Sequence, residues 1–163
     1  MFIIINIAKP QIHDQALMPA LQSFWFVPHV IVYMFSYALM GCALLLLIYG
    51  CFPAGYERRT ALLTISDNLV YTGTALLITG MLFGAIWAKQ AWGHYWNWDP
   101  KETWAALTWL SYLCYIHIRY RYPSRYKSAT FILALAFLFL QICWYGINWL
   151  PSASQSVHTY SIG

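Results

Sequence analysis

Four apolar stretches separated by polar or basic breaks set the pattern of this chain, and each is close to the ~20 apolar residues that a membrane-spanning helix needs. The first runs from about Trp25 to Cys51, with Pro28 in its opening turn, where a missing N–H costs little. Phe52-Pro53-Ala54-Gly55-Tyr56-Glu57-Arg58-Arg59 then reads as a loop. A second helix is predicted over about 67–88, with Ser66 or Asp67 placed to cap it. Asp99-Pro100-Lys101-Glu102 is a strong helix start: an Asp N-cap, Pro at the first helical position, and an acid facing the positive helix end. The third helix is therefore predicted over about 100–119. A basic turn holding Arg119, Arg121, Pro123, Arg125 and Lys127 leads to a fourth helix over about 128–150, followed by a polar exit, Pro151–Ser156. Residues 1–22 are interrupted by Lys9-Pro10, His13-Asp14 and Pro19, so they read as a surface leader, amphipathic around Ile12–Leu21. They lack the basic, apolar and small-residue succession of a cleaved signal peptide, and none is expected.

This pattern predicts an all-α integral membrane protein, a single membrane domain over 1–163 built as a bundle of about four transmembrane helices. Composition agrees. Of 163 residues, 61% are hydrophobic and only 9% charged, where a soluble domain carries about 25% charged residues. The formal charge of +4 is too small and dispersed for a nucleic-acid partner; the lipid bilayer is the partner that composition implies. Cys42, Cys51, Cys114 and Cys143 show no CxxC spacing and read as small packing residues. Arg58, Arg59 and the turn from Arg119 to Lys127 hold six of the nine basic residues, which predicts that these two loops are cytoplasmic. Both termini and the connection over 89–103 then lie outside.

That outer connection changes the picture. Between Trp92 and Trp104 there are four tryptophans (Trp92, Trp96, Trp98, Trp104), with Tyr95 and His94 among them. An interfacial aromatic belt needs one or two rings per helix end. The density here, with Asp99 and Glu102 between the rings, points instead to a bed for a large planar ligand at the membrane surface. Asp99 most simply caps the third helix, and Glu102 joins it at the positive helix end. Neither has a partner arrangement for general acid–base work, so no catalytic residue is assigned.

Three histidines share the outer face with these rings. His29 lies at the outer end of the first helix, His158 just beyond the fourth, and His94 within the loop. His117 lies 14 residues past Thr103, so about 21 Å further along the third helix. It falls in the inner part of the bilayer, where an imidazole marks a ligand, a pathway or a buried hydrogen bond. Zinc would want four tight ligands, and the cysteines and carboxylates are badly placed to complete such a site. Haem needs only one or two axial side chains and a broad apolar surface. His29 and His158 as axial pair, on a platform of Trp92, Trp96, Trp98 and Trp104, meet that need.

The run Trp92-Gly93-His94-Tyr95-Trp96-Asn97-Trp98-Asp99-Pro100-Lys101-Glu102-Thr103-Trp104 closely resembles the tryptophan-rich WWD signature of haem-handling cytochrome c assembly proteins. Its Trp-Asp-Pro-Lys-Glu-Thr ending is most similar to the ResC/CcsA-type subunit of the system II cytochrome c synthase. Val27-Pro28-His29-Val30 resembles the first outer haem-ligand motif of that family, and Ser156-Val157-His158-Thr159-Tyr160 the second. Tyr115-Ile116-His117-Ile118-Arg119 resembles its membrane histidine motif. The likeness extends from about Leu17 to Tyr160; His13 and His94 match no ligand position. It implies that haem b is the cofactor, that the WWD loop with Asp99 helps bind it, and that His29 and His158 are axial ligands. It also implies His117 as a transmembrane haem ligand, opposite a histidine of a ResB/CcsB-like membrane subunit. The activity implied is that of part of a holocytochrome c synthase (a haem lyase), joining haem to the cysteines of an apocytochrome c CxxCH motif. The location implied is a bacterial inner membrane, or alternatively a plastid thylakoid. Members of the family are usually longer, with additional spanning helices.

Two other readings compete. A haem carrier without synthase activity would hand its ligand to a separate ligase, although such carriers differ after the Trp-Asp. A structural membrane subunit with an aromatic belt would hold no haem and would tolerate Trp-to-Leu changes in the loop.

Overall fold

A computed structural model describes residues 19–52 and 55–150. Its four α-helices are α1 (Phe26–Tyr49), α2 (Tyr56–Trp92), α3 (Pro100–Arg121) and α4 (Tyr126–Trp144), with short 3₁₀ turns at Pro19–Gln22 and Gly146–Trp149. Three of them, α1, α2 and α4, are long and apolar enough to cross a membrane. Helix α3 is long enough at 22 residues but less apolar, with Thr, Ser, Tyr and His interleaved through its middle. The described residues are all-helical, and the protein is a multi-pass membrane protein.

Helices α1 and α2 form one tight antiparallel pair and α3 and α4 the other, with thinner contact between the pairs. The shared core is built on positions about seven apart: Met40 and Leu47 on α1, Leu63, Val70 and Leu77 on α2, Leu133 and Leu140 on α4. Such spacing keeps one seam facing a neighbour along the whole length of a helix. In lipid the hydrophobic effect gives helices little reason to associate, so close packing and interhelical hydrogen bonds matter more. The α1–α2 seam has both. Ser66 Oγ donates to Ala43 O at 3.2 Å, Ser36 Oγ donates to Gly73 O at 2.8 Å, and His29 Nδ1 meets Gly80 O at 2.8 Å. The three rungs advance by seven residues on each helix. Between them the side chains of Met40, Tyr33 and His29 lie against the bare α-carbons of Gly73, Gly80 and Gly84.

The basic end is tied separately. Arg119 on α3 forms an ion pair with Asp67 on α2, Nη2 to Oδ2 at 2.7 Å, and Tyr115 donates to the same carboxylate at 2.8 Å. Arg119 also donates to Pro123 O. Tyr126 at the start of α4 donates to Leu47 O at 2.5 Å.

Several helix boundaries depart from the sequence expectation. Helix α2 starts at Tyr56 rather than about 67, so residues 56–59 are helix and not loop. Its first turns are polar and therefore invisible to a hydropathy pattern, yet Thr60 and Thr64 return their hydroxyls to the carbonyls four residues back. Arg58 folds over the Tyr49 ring, and Arg59 donates to Gly50 O. Ser66 and Asp67 consequently cap nothing: they lie inside the helix and bond across to α1 and α3. At the other end α2 continues through Trp92 and stops at Gly93, whose φ of +87° is the left-handed conformation that glycine adopts at no steric cost. The connection is thus only 93–99, with Trp92 and Trp104 on helices. Helix α4 ends at Trp144 rather than about 150, passing into the 3₁₀ turn at Gly146. Cys42, Cys51 and Cys114 are exposed on the outside of the bundle, so they are not interior packing residues. The leader through residue 18, Pro53 and the exit after residue 150 lie outside the described residues.

Candidate functional site

The expected start of α3 is present in full. Asp99 is the N-cap, accepting from Lys101 N at 2.8 Å and from the third-position backbone, with Pro100 opening the helix. Glu102 reaches back: one oxygen, Oε2, accepts from Asp99 N at 3.1 Å and from Asn97 N at 2.8 Å. Both carboxylates are nearly buried, Asp99 at 6% and Glu102 at 9% exposure, so they hold the loop from inside. Lys89 closes its other end by donating to Gly93 O at 2.7 Å. A seven-residue loop fastened at both ends keeps its rings where the helices put them.

Beneath this loop a cleft of about 270 Å³ opens between all four helices. That volume lies just below the ~300–1,000 Å³ usual for small-molecule sites. Its walls are His29 and Tyr33 from α1, Gly84 and Trp87 from α2, Tyr95 and Trp96 from the loop, Lys101 and Glu102 from α3, and Cys143 and Trp144 from α4. Most of that surface is aromatic or aliphatic. One imidazole and one ammonium group are set into it.

The imidazole is held on every side. Because the Gly80 carbonyl can only accept, Nδ1 of His29 carries the proton, and the lone pair of the neutral ring is at Nε2. Tyr33, one turn further along α1, meets the ring edge-on at 4.7 Å between centroids, and Trp87 lies tilted against it at 5.6 Å. Trp87 is itself 3% exposed, packed between Phe26 at 5.2 Å and Trp92 at 4.9 Å. A backbone carbonyl that fixes one ring nitrogen is the contact through which metal-ligating histidines are commonly oriented.

Of the residues singled out from sequence, the cleft brings together His29 and Trp96. Trp92 stands behind Trp87 as support. Trp98 is 71% exposed with φ +56°, its ring edge-on to Trp96 at 5.8 Å. Trp104 faces Phe139 on α4 at 5.8 Å and does not line the cleft. Asp99 acts on the backbone of α3. His117 lies well away along α3, exposed on the outside of the bundle, with Nδ1 donating to Leu113 O of its own helix at 2.7 Å. His158 lies outside the described residues, as does His13. His94 is half-buried in the loop with an Nδ1 that finds no hydrogen-bond partner among the described residues.

Sequence reasoning missed Trp87, Tyr33, Lys101 and the two glycines behind His29. Tyr33 was within reach, being four residues after His29 and so on the same helix face. Trp87 sits in an apolar run where a tryptophan reads as one more hydrophobic residue. Only the antiparallel pairing with α1 brings it to the imidazole.

The aromatic and imidazole chemistry of the cleft fits a haem: a nitrogen ligand of fixed tautomer amid flat apolar walls. Comparison with known proteins gives the family. The family model described as Cytochrome C assembly protein matches residues 1–154. "Cytochrome c biogenesis protein CcsA" of Chlamydomonas reinhardtii is 36% identical over 168 residues, covering 98% of this chain and 47% of the relative. The protein of the same description from Guillardia theta is 34% identical over 185 residues, covering 95% of this chain and 60% of its own length. That from Marchantia polymorpha is 32% identical over 208 residues, with coverage of 98% and 64%. The chain thus spans about half to two thirds of the length of these curated relatives.

Proposed function

Since this chain belongs to the cytochrome c assembly protein family, we propose that it holds haem b at its aromatic end and presents it for attachment to apocytochrome c. The observation that carries this reading is His29, whose ring lines an aromatic cleft and is oriented there by the contact of Nδ1 with Gly80 O. Haem, when bound, would supply its iron and two vinyl groups across which cysteine thiols add, each addition breaking one S–H bond and one C=C π bond and forming one C–S and one C–H bond without net oxidation.

The chain's own residues bind and orient. His29 and His158, the latter following α4 in sequence, would hold the haem iron. Trp96 and Trp87 line the flat pocket, with Trp92 backing Trp87 and Trp98 and Trp104 extending the aromatic surface around the loop. Asp99 and Glu102 serve binding by holding that loop in place. His117, on the exposed side of α3, is the transmembrane ligand, completed by a histidine of a ResB/CcsB-like membrane subunit. Orientation by ligation is a sufficient contribution, because fixing reactants in a near-attack geometry can remove ~7–11 kcal/mol of a barrier. By the positive-inside rule the loop over 93–99 faces the outer side of a bacterial inner membrane or its plastid thylakoid counterpart.

The test is reconstitution of the full chain with a ResB/CcsB-like partner and an apocytochrome carrying CxxCH. Thioether-linked cytochrome c in the wild type, and none in the His29→Ala/His158→Ala variant, is the expected result. Haem bound but never attached would favour the carrier reading. Haem content unchanged in the double variant would overturn the ligand assignment.

A further inference from the structure

We propose that Gly80 and Gly84 are positioning residues for His29: the first fixes its tautomer, and the second provides the space in which the imidazole sits. The inference deepens the haem-presenting reading and rests on it for its consequence, although not for its geometry.

On the α1–α2 seam, serines make the inner two rungs and an imidazole makes the outermost. His29 replaces a small donor with a five-membered ring at the same place in the repeat, and the seam must accommodate the extra volume. It does so at Gly84. A Cβ on Gly84 would lie 2.7 Å from His29 Cε1 and 2.8 Å from Nδ1, closer than real Cβ contacts come. The ring cannot simply retreat, since Tyr33 stands at its edge and Trp87 against its face. Any movement would also break the 2.8 Å contact to Gly80 O, because the atom that a methyl group would strike is the donor itself.

The comparison with Gly73 separates this seat from ordinary helix packing. Gly80 and Gly84 form a small-xxx-small pair, which alone would be read as a close-approach motif. Gly73 is also on the seam, but what faces it is the Cε and Sδ end of Met40, at 3.0 and 3.1 Å. A thioether end swings aside easily. An added methyl at Gly73 therefore tests packing alone, whereas one at Gly84 tests the imidazole seat.

Fixing the proton on Nδ1 does two things. It would make Nε2 the atom turned to the iron, and it would fix the orientation of the ring through the carbonyl contact. Loss of such an outer contact typically lowers metal affinity about 10–100-fold.

The decisive experiment is ¹⁵N NMR of histidine-labelled full-length protein in detergent micelles, with the His29 signals assigned by their loss in His29→Gln. In the wild type before haem addition, the expected spectrum is a neutral imidazole protonated at Nδ1. In Gly84→Ala that tautomer should give way to the Nε2–H form or a mixture, and haem affinity should fall about 10–100-fold. Gly73→Ala should keep both the wild-type tautomer and the wild-type affinity. An Nε2–H tautomer in the wild type overturns the proposal, as does a Gly84→Ala protein with unchanged tautomer and affinity. Should Gly84→Ala not fold, the wild-type tautomer decides. A wild type that shows the Nδ1–H tautomer but takes up no haem would sink the haem-presenting reading and leave the seat standing.

Discussion

His29 Nδ1 stands 2.8 Å from Gly80 O, the same separation at which Ser36 Oγ meets Gly73 O one heptad deeper in the membrane. The ligand candidate is therefore part of the device that pairs α1 with α2, and the two roles can be separated by substitution. Ser36→Ala removes a rung without touching the cleft. Interhelical hydrogen bonds in membranes average about 0.6 kcal/mol and reach about 1.7. Reversible unfolding in mixed micelles should show a loss in that range for Ser36→Ala, with an unchanged haem spectrum. His29→Ala should lose the spectrum.

At the basic end, Asp67 and Arg119 are 14% and 8% exposed in their side chains and share their bonds with Tyr115. Removing one partner of a buried pair leaves a stranded charge and costs about 3–5 kcal/mol. Arg119→Met alone should show a loss of that size in micelle unfolding. The Asp67→Asn/Arg119→Met double variant should lose distinctly less than the sum of the two single changes.

The loop should depend on its carboxylates more than on its most exposed ring. Asp99→Ala removes the N-cap of α3, worth about 0.5–2 kcal/mol. Glu102→Ala removes the acceptor that serves both Asn97 and Asp99. Limited proteolysis within 93–99 should accelerate in both variants, and haem retention should fall with it because Trp96 loses its support.

Among the tryptophans the structure predicts an order. Trp98→Gly removes a 71% exposed side chain from a residue at φ +56°, where glycine is unstrained. Its stability should stay within about 0.5 kcal/mol of wild type, as for most surface changes. Trp87→Ala empties a buried position against His29 and should cost about 3–5 kcal/mol. Haem titration of the two variants should rank them the same way. A larger loss of affinity at Trp98 than at Trp87 would mean that the ligand lies over the loop rather than beneath it.

Much of this was legible from local signals. The start of α3 is written in four consecutive residues, Asp99 to Glu102, each acting on backbone within one turn, so its capping box could be read directly. His29 could be placed at the aromatic end because Pro28 marks the beginning of α1. What escaped was long-range. The first turns of α2 are polar, so hydropathy assigned Tyr56–Arg59 to a loop and Asp67 to a cap, when Asp67 is paired with a residue 52 positions away. The rungs of the α1–α2 seam join residues 23, 37 and 51 positions apart, and no pattern within one helix reveals which carbonyl its serine or histidine will meet. For the same reason the tryptophan run over-promised: counted along the chain it is one bed of rings, but helix geometry turns Trp104 toward Phe139 and leaves Trp98 outward. The buried Trp87, outside the run, reaches the imidazole.

The central claim, that His29 is a haem ligand at the aromatic end, is tested most directly by the absorption spectrum of the purified full-length chain after haem addition. It should be recorded oxidised and reduced, with and without a ResB/CcsB-like partner, beside His29→Ala. Sharp reduced bands of a bis-histidine haem in the wild type, lost or shifted in His29→Ala, are the predicted result. The same bands in both proteins, or no bound haem in either with the partner present, would contradict it.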